Sequence, residues 1–232
     1  AFTRTVKANG ATISVQVRLF YGITGGANDP DTDAGGKVLE ADMRKSLAKR
    51  DVIIFSGHSG PFYGFALANW RKTSEGDLDD SEMAAVEMAK DRYQVVVAEG
   101  CDTYQIGEAF RQNPTKKNGT LVDVITTNSF SNASTPDTVK DIIRALIARD
   151  SSGRLRPEPI KRLLTKLDSN SYWFNSMYGI HGIDNNPTVH PFAKLSRACD
   201  ACSKNSDCGD NGNLCVKVGD SGKRCVAACT DD

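Results

Sequence analysis

Apolar residues along this chain fall into two kinds of run. Val52-Ile-Ile-Phe55 and Val95-Val-Val-Ala98 are short, continuous and rich in β-branched side chains, and each breaks into small residues, Ser56-Gly57-His58-Ser59-Gly60 after the first and Glu99-Gly100-Cys101 after the second. Unbroken apolar runs of that length predict strands buried on both faces, as in a parallel sheet. Leu121-Val-Asp-Val-Ile-Thr-Thr127 predicts another interior strand. By contrast, Ile13, Val15, Val17 and Leu19 alternate with polar residues after an Asn9-Gly10 turn, which predicts a strand with one covered face.

Between these runs the apolar spacing is helical. Val38, Leu39, Met43 and Leu47 predict an amphipathic helix over 37–49 that feeds the first buried run; Met83, Ala84, Val86 and Met88 predict one over 80–90 that feeds the second. A short helix is expected over 107–112. A longer one over 138–149 carries Val139, Ile142, Ile143, Leu146 and Ile147 on one face, behind the start signal Thr135-Pro136-Asp137. A further helix is expected over 158–167, and the aromatic-rich stretch 172–190 fits no class. Strand-helix-strand alternation argues for α/β architecture with right-handed crossovers. In such a sheet, chemistry gathers outside the carboxyl ends of the strands, so neighbouring strands would bring His58 and Cys101 together.

Composition bounds the partners and divides the chain. With 232 residues there is room for one good-sized core and a small appendage. The formal net charge of zero gives no basic excess for nucleic acid or an anionic membrane surface, and the longest apolar stretch is too short for a bilayer. Because the chain opens on Ala1, it is read as a processed piece of a longer precursor. From about Ser196 the composition turns polar and cysteine-rich, so the expected division is 1–195 for the main domain and 196–232 for a small module. That module holds Cys199, Cys202, Cys208, Cys215, Cys225 and Cys229. It has too little apolar mass to build a core, so three disulfides, in a pairing that the sequence leaves open, are expected to order it. They imply an oxidising location, secreted, extracellular or periplasmic. Zinc at Cys199-x-x-Cys202 is the competing reading, but no second Cys-x-x-Cys or His pair completes the set. Cys101 is then the odd thiol of the main domain.

A cysteine beside an imidazole is a nucleophile at neutral pH, since the imidazole takes the thiol proton and later hands it to the leaving amine. The amides of Gly60 and Cys101 are candidate donors to the oxyanion that develops. An apolar strand ending in His and Gly, then an apolar strand ending in a small residue and Cys, about forty residues apart in that order, resembles the caspase-like clan of cysteine peptidases. Caspases, metacaspases, legumain, clostripain and gingipains belong to it. The resemblance covers about Lys37 to Asn128. It implies a caspase-hemoglobinase-like sandwich with about six mostly parallel strands between helices, a His58–Cys101 dyad that needs no cofactor, and a protein or peptide substrate. It also implies that Glu99, two residues before the cysteine, lines the pocket for the residue preceding the scissile bond. Resemblance to clostripain and the metacaspases there implies Arg or Lys, and resemblance to legumain implies Asn. Asp102 flanks the nucleophile as a second candidate substrate-binding residue, and its charge would oppose thiolate formation. The sequence departs from the clan where Ser59 stands between His58 and Gly60 and where Gly100 precedes the cysteine. Zymogen activation by self-cleavage is a further expectation.

Three other readings stand beside this one. Gly57-His58-Ser59-Gly60 resembles most of a nucleophile elbow, making Ser59, Asp123 and His181 a serine-esterase triad, although Pro61 occupies its last glycine position. Cys101 with His181 has papain-like order. The third is a catalytically inactive, peptidase-like extracellular binding or adhesion module. Separately, Asp29, Asp31, Asp33 and Glu40 have the oxygen spacing of an EF-hand loop, a calcium candidate set against a plain exposed acidic loop. Asn118-Gly-Thr120 and Asn132-Ala-Ser134 are glycosylation sequons.

Overall fold

Val96, Val97 and Ala98 expose no surface, because the run that they form is the centre of the main sheet. The computed structural model describes residues 1–8, 11–21, 30–60, 64–67, 77–117, 119–131, 137–169, 177–183, 201–208, 214–217 and 222–226. In it β7 (Gln94–Glu99) lies between β3 (Val52–Ser56) and β8 (Val122–Thr127), parallel to both, and β9 (Tyr178–His181) closes one edge antiparallel to β8. Among the described residues this sheet has four strands in the order β3-β7-β8-β9. The edge strand falls in the aromatic stretch that periodicity left unclassified.

Helices cover both faces, which is why the central strands read as unbroken apolar runs. On one face Ile53, Phe55, Val96, Ala98 and Val124 pack with Leu47 of α1 (Pro30–Lys49) and with Ile106 and Phe110 of α3 (Tyr104–Gln112). On the other, Val97 and Ile125 pack with Ile142 and Ala145 of α4 (Asp137–Leu146) and with Leu163 and Leu167 of α5 (Ile160–Ser169). The chain is thus α/β with mixed sheets. Helix α1 begins earlier than the apolar spacing predicts. Its Leu39, Met43 and Leu47 face the core, whereas Val38 is 65% exposed.

The helix expected over 80–90 stops early. As α2 it covers only Asp80–Ala85, opened by a capping box in which Asp79 Oδ1 accepts from the Glu82 amide at 3.0 Å and Glu82 Oε2 from the Asp79 amide at 3.1 Å. Side chains from beyond α3 satisfy carbonyls in the last turn of α2 and in the extended stretch that follows. Asn113 Nδ2 donates to Met83 O and Val86 O at 3.2 and 2.7 Å, and Lys116 Nζ to Ala89 O and Arg92 O at 2.7 and 2.9 Å. Lys116 is fully buried, and burial, with a smaller contribution from the Arg92 charge, pushes its ammonium down to about 8.

Two small sheets complete this part of the chain. β4 (Ser59–Gly60), β5 (Gly64–Ala66) and β6 (Asp77–Leu78) form an antiparallel ribbon directly after His58. Gly64 sits at φ +60°, and a Cβ there would stand 1.9 Å from the Leu78 carbonyl oxygen, so the ribbon admits only glycine at that point. β1 (Phe2–Ala8) pairs with β2 (Ala11–Val17), where Ile13, Val15 and Val17 are half-buried between exposed neighbours, as their alternation predicts.

By internal contacts the chain divides into residues 1–7 with 12–186, and 8–11 with 187–232. In the second unit β10 (Leu214–Lys217) and β11 (Lys223–Val226) form a hairpin, and disulfides join Cys202 to Cys215 and Cys208 to Cys225. These four cysteines are therefore bonded in pairs. Cys199 and Cys229 lie outside the described residues. Bonds of this kind persist in oxidising, non-cytosolic surroundings. Among the described residues no helix is long and apolar enough to cross a membrane.

Candidate active site

The sheet register brings the two predicted residues to neighbouring strand ends. Ser56 of β3 stands opposite Glu99 of β7, and His58 and Cys101 each follow two residues later. The loops then touch: Gly57 N–H donates to Glu99 O at 3.1 Å, and Ser59 Oγ donates to Cys101 O at 2.9 Å. A Cβ on Gly100 would fall 2.2 Å from Ser59 Oγ and 2.8 Å from the Gly57 backbone carbonyl oxygen, and the latter cannot turn aside, so this close approach requires glycine before the cysteine. His58 is exposed and Cys101 half-buried. Among the described residues no hydrogen bond joins them, and the thiol donates instead to Ser131 O at 3.8 Å.

Two buried threonines brace the turn that carries Cys101. Thr103 Oγ1 donates to Ala98 O at 2.6 Å and Thr127 Oγ1 to Gly100 O at 2.6 Å, while each hydroxyl oxygen accepts the other residue's amide, at 2.8 Å from Thr127 and 3.3 Å from Thr103. Asp102 is exposed at φ +49°, and its amide donates to Ser129 O at 2.9 Å. Cys101 thus projects from a turn whose flanking carbonyls are satisfied by side chains. It opens on a cleft of about 360 Å³ lined by Ser59, Gly60, Cys101, Asp102, Asn128, Ser129 and Phe130. Phe130, 71% exposed, supplies the cleft with a large apolar surface that sequence reasoning missed, since one Phe in a polar loop carries no periodic signal.

Glu99 lies beside this cleft rather than in its lining, only 3% exposed. Its Oε2 accepts from Ser56 Oγ; its Oε1 accepts from Ser131 Oγ and, at 3.5 Å, from the Tyr178 hydroxyl. Tyr178 also meets Thr138 Oγ1 at 3.1 Å, and burial, reinforced by the Glu99 charge, pushes its phenol up to about 12. Among the described residues no cation pairs with Glu99. Ser56 was legible in principle, since it stands two residues before His58 as Glu99 stands two before Cys101.

Several expected roles change. Ala66 N–H donates to His58 O at 3.0 Å, and the β4–β5 register sets Ser59 against Phe65 and Gly60 against Gly64. Antiparallel alternation then makes Gly60 and Gly64 the next bonded pair, which turns the Gly60 amide into the ribbon and the Ser59 amide to the ribbon's other side. Gly60 is therefore not an oxyanion donor here, and Ser59 is the available amide beside His58.

The esterase triad does not assemble. Asp123 stands opposite Val95, about 13 Å of strand below the level of Glu99, and accepts from the Tyr93 hydroxyl at 2.5 Å. His181 lies in strand β9 opposite Val124, about 10 Å below the Glu99 level and about 10 Å across two strand spacings, so it reaches neither Ser59 nor Cys101. Its ring packs against Tyr104, with centroids 4.6 Å apart, and against Gly107, and burial, then the Arg111 charge, lowers its basicity. The acidic set is no EF-hand loop either. Asp31, Asp33 and Glu40 belong to α1, whose rise separates the first from the last by about 13 Å along the axis, too far to encircle one ion, and Asp29 lies outside the described residues. No family model, curated protein or solved structure matches this chain.

Proposed function

We propose that this chain is a secreted cysteine endopeptidase of caspase-like fold, with Cys101 as nucleophile and His58 as general base and acid. One observation carries the proposal: parallel strands β3 and β7 pair Ser56 with Glu99, so the imidazole and the thiol emerge two residues later from adjacent strand ends, and Ser59 ties their loops together. The exposed imidazole takes the proton of the half-buried thiol. Sulfur then attacks the scissile carbonyl, and the amides of Cys101 and Ser59 stabilise the oxyanion. His58 protonates the departing amine, and water releases the acyl group from the thioester. Glu99, buried beside the cleft, contributes negative charge that favours a basic side chain before the scissile bond, and Phe130 offers apolar contact to a neighbouring substrate residue. The mechanism uses protein groups alone.

The test is hydrolysis of fluorogenic peptides bearing Arg, Lys or Asn before the reporter amide. Turnover lost in both Cys101→Ala and His58→Ala supports the assignment. Turnover retained in Cys101→Ala refutes it, as does a folded, reduced-thiol protein that hydrolyses none of them. The latter result would favour a binding module.

A further inference from the structure

Ser131 connects two groups that the sequence places 32 residues apart or less, the Cys101 sulfur and the buried Glu99 carboxylate. Its backbone carbonyl accepts from the Cys101 thiol at 3.8 Å, and its hydroxyl donates to Glu99 Oε1. Among the described residues no other hydrogen bond reaches the Cys101 sulfur. A thiol is a weak donor, so this contact places the sulfur only if its acceptor is itself held. Glu99 does the holding. Its carboxylate, 3% exposed, also accepts from Ser56 Oγ at the end of β3, two residues before His58, and from the Tyr178 hydroxyl of β9, which meets Thr138 Oγ1 of α4 at 3.1 Å. Backbone bonds fasten the rest of the segment: Asn128 N–H donates to Met177 O at 3.0 Å, and Asp102 N–H to Ser129 O at 2.9 Å. Residues 128–131 are therefore tied to the start of β9, to the Cys101 turn and to Glu99.

We propose that Ser131 is a positioning residue for the Cys101 nucleophile, fixed in place by Glu99, a role that rests on the peptidase proposal. Burying a carboxylate among hydroxyls, with no described counter-ion, stabilises a fold less than an apolar side chain of the same size would. What the carboxylate supplies is direction. Its bond to the Ser131 hydroxyl fixes the orientation of that residue, and with it the carbonyl that receives the S–H, which an apolar contact cannot do. Through Ser56 the same side chain holds the strand end that leads to His58, so the segments carrying base and nucleophile are anchored at one buried point. Releasing Ser131 frees the sulfur to turn among its other rotamers, and a displacement of about 1 Å at a reacting group can cost about a hundredfold in rate. Neither Ser131 nor Glu99 lines the described cleft, so loss of Ser131 should fall on kcat rather than on KM.

The test uses the whole chain and its Ser131→Ala, Ser131→Thr, Glu99→Ala and doubly substituted Ser131→Ala, Glu99→Ala variants, each checked for wild-type circular dichroism. Two readouts are taken: kcat and KM on the fluorogenic peptides, and the rate at which iodoacetamide alkylates Cys101, which needs no bound substrate. In Ser131→Ala, kcat is expected to fall roughly tenfold or more with KM within about twofold. Alkylation is expected to quicken by roughly threefold, because the sulfur has lost its fixed partner. Glu99→Ala should show the same fall in kcat and the same rise in alkylation, and Ser131→Thr, which keeps hydroxyl and carbonyl, should restore both rates. The double variant should lose no more kcat than Glu99→Ala alone, since Ser131 acts through Glu99. Either rate unmoved in folded Ser131→Ala, or losses of kcat that add in full in the double variant, overturns the positioning role and leaves the peptidase proposal standing. No Cys101-dependent turnover by folded wild-type protein overturns both.

Discussion

Replacing Thr127 with valine removes one hydroxyl from beneath Cys101 and keeps the shape of the side chain. Thr127 is 1% exposed; its hydroxyl donates to Gly100 O at 2.6 Å and accepts the Thr103 amide at 3.3 Å. Thr127→Val leaves both groups buried and unpaired, while Thr103 Oγ1 keeps Ala98 O and the Thr127 amide. At about 1–3 kcal/mol for each orphaned group, with the longer bond at the low end, the loss should be about 2–4 kcal/mol. Urea unfolding at constant m-value would read it. The second consequence concerns the nucleophile. Gly100 O flanks Cys101, and a displacement of about 1 Å at a reacting group can cost about a hundredfold in rate, so kcat should fall more than KM rises. A Thr103→Val, Thr127→Val double variant should lose about the sum of the single losses, because the two changes orphan different backbone groups, Ala98 O and the Thr127 amide in one case and Gly100 O and the Thr103 amide in the other. A loss below about 0.5 kcal/mol together with unchanged kcat would refute the bracing role.

Three further outcomes are expected. Lys116 has a folded-state pKa near 8, below its ordinary 10.5, so between those values the unfolded chain binds more protons and stability should rise with pH by up to about 3 kcal/mol; urea midpoints at pH 7.5 and 10 should show the rise, and Lys116→Met should flatten it. Phe130→Ala, at a largely exposed position on the cleft, should raise KM several-fold for peptides with an apolar residue nearby while shifting the urea midpoint by less than about 0.5 kcal/mol. Cys208→Ser opens a disulfide that spans 17 residues and should cost the C-terminal unit about 3 kcal/mol, seen as faster cleavage within 201–226 in limited proteolysis.

The strands that carry His58 and Cys101 at their ends were legible because burial on both faces leaves no polar positions in Val52–Phe55 or Val95–Ala98, a pattern that few other local structures produce. His58 and Cys101 were legible for the same reason, since each ends such a run. Elements decided by distant partners were not. Helix α2 stops at Ala85, before an extended stretch whose carbonyls Asn113 and Lys116 satisfy from across the fold, while the local sequence Met83 to Met88 keeps helical spacing. The ribbon β4-β5-β6 has strands of two or three residues, too short for any period to register. The start of α1 at Pro30 is masked in the sequence by the Gly and Asp residues around it, which favour a loop, although proline is at home in a first helical turn. That the ribbon engages the amide of Gly60 rather than that of Ser59 was not legible, since which of two adjacent amides a ribbon consumes depends on a register that composition does not encode.

The most direct measurement of the central claim is intact-mass analysis after incubation with a lysyl peptide acyloxymethyl ketone, on the wild-type chain and on His58→Ala and Cys101→Ala. If imidazole and thiol act as one unit, a single adduct forms on Cys101, its rate drops by at least tenfold in His58→Ala, and Cys101→Ala gives none. An adduct that forms equally fast without His58, or none on folded wild-type protein, would contradict the pairing on which the proposed peptidase depends.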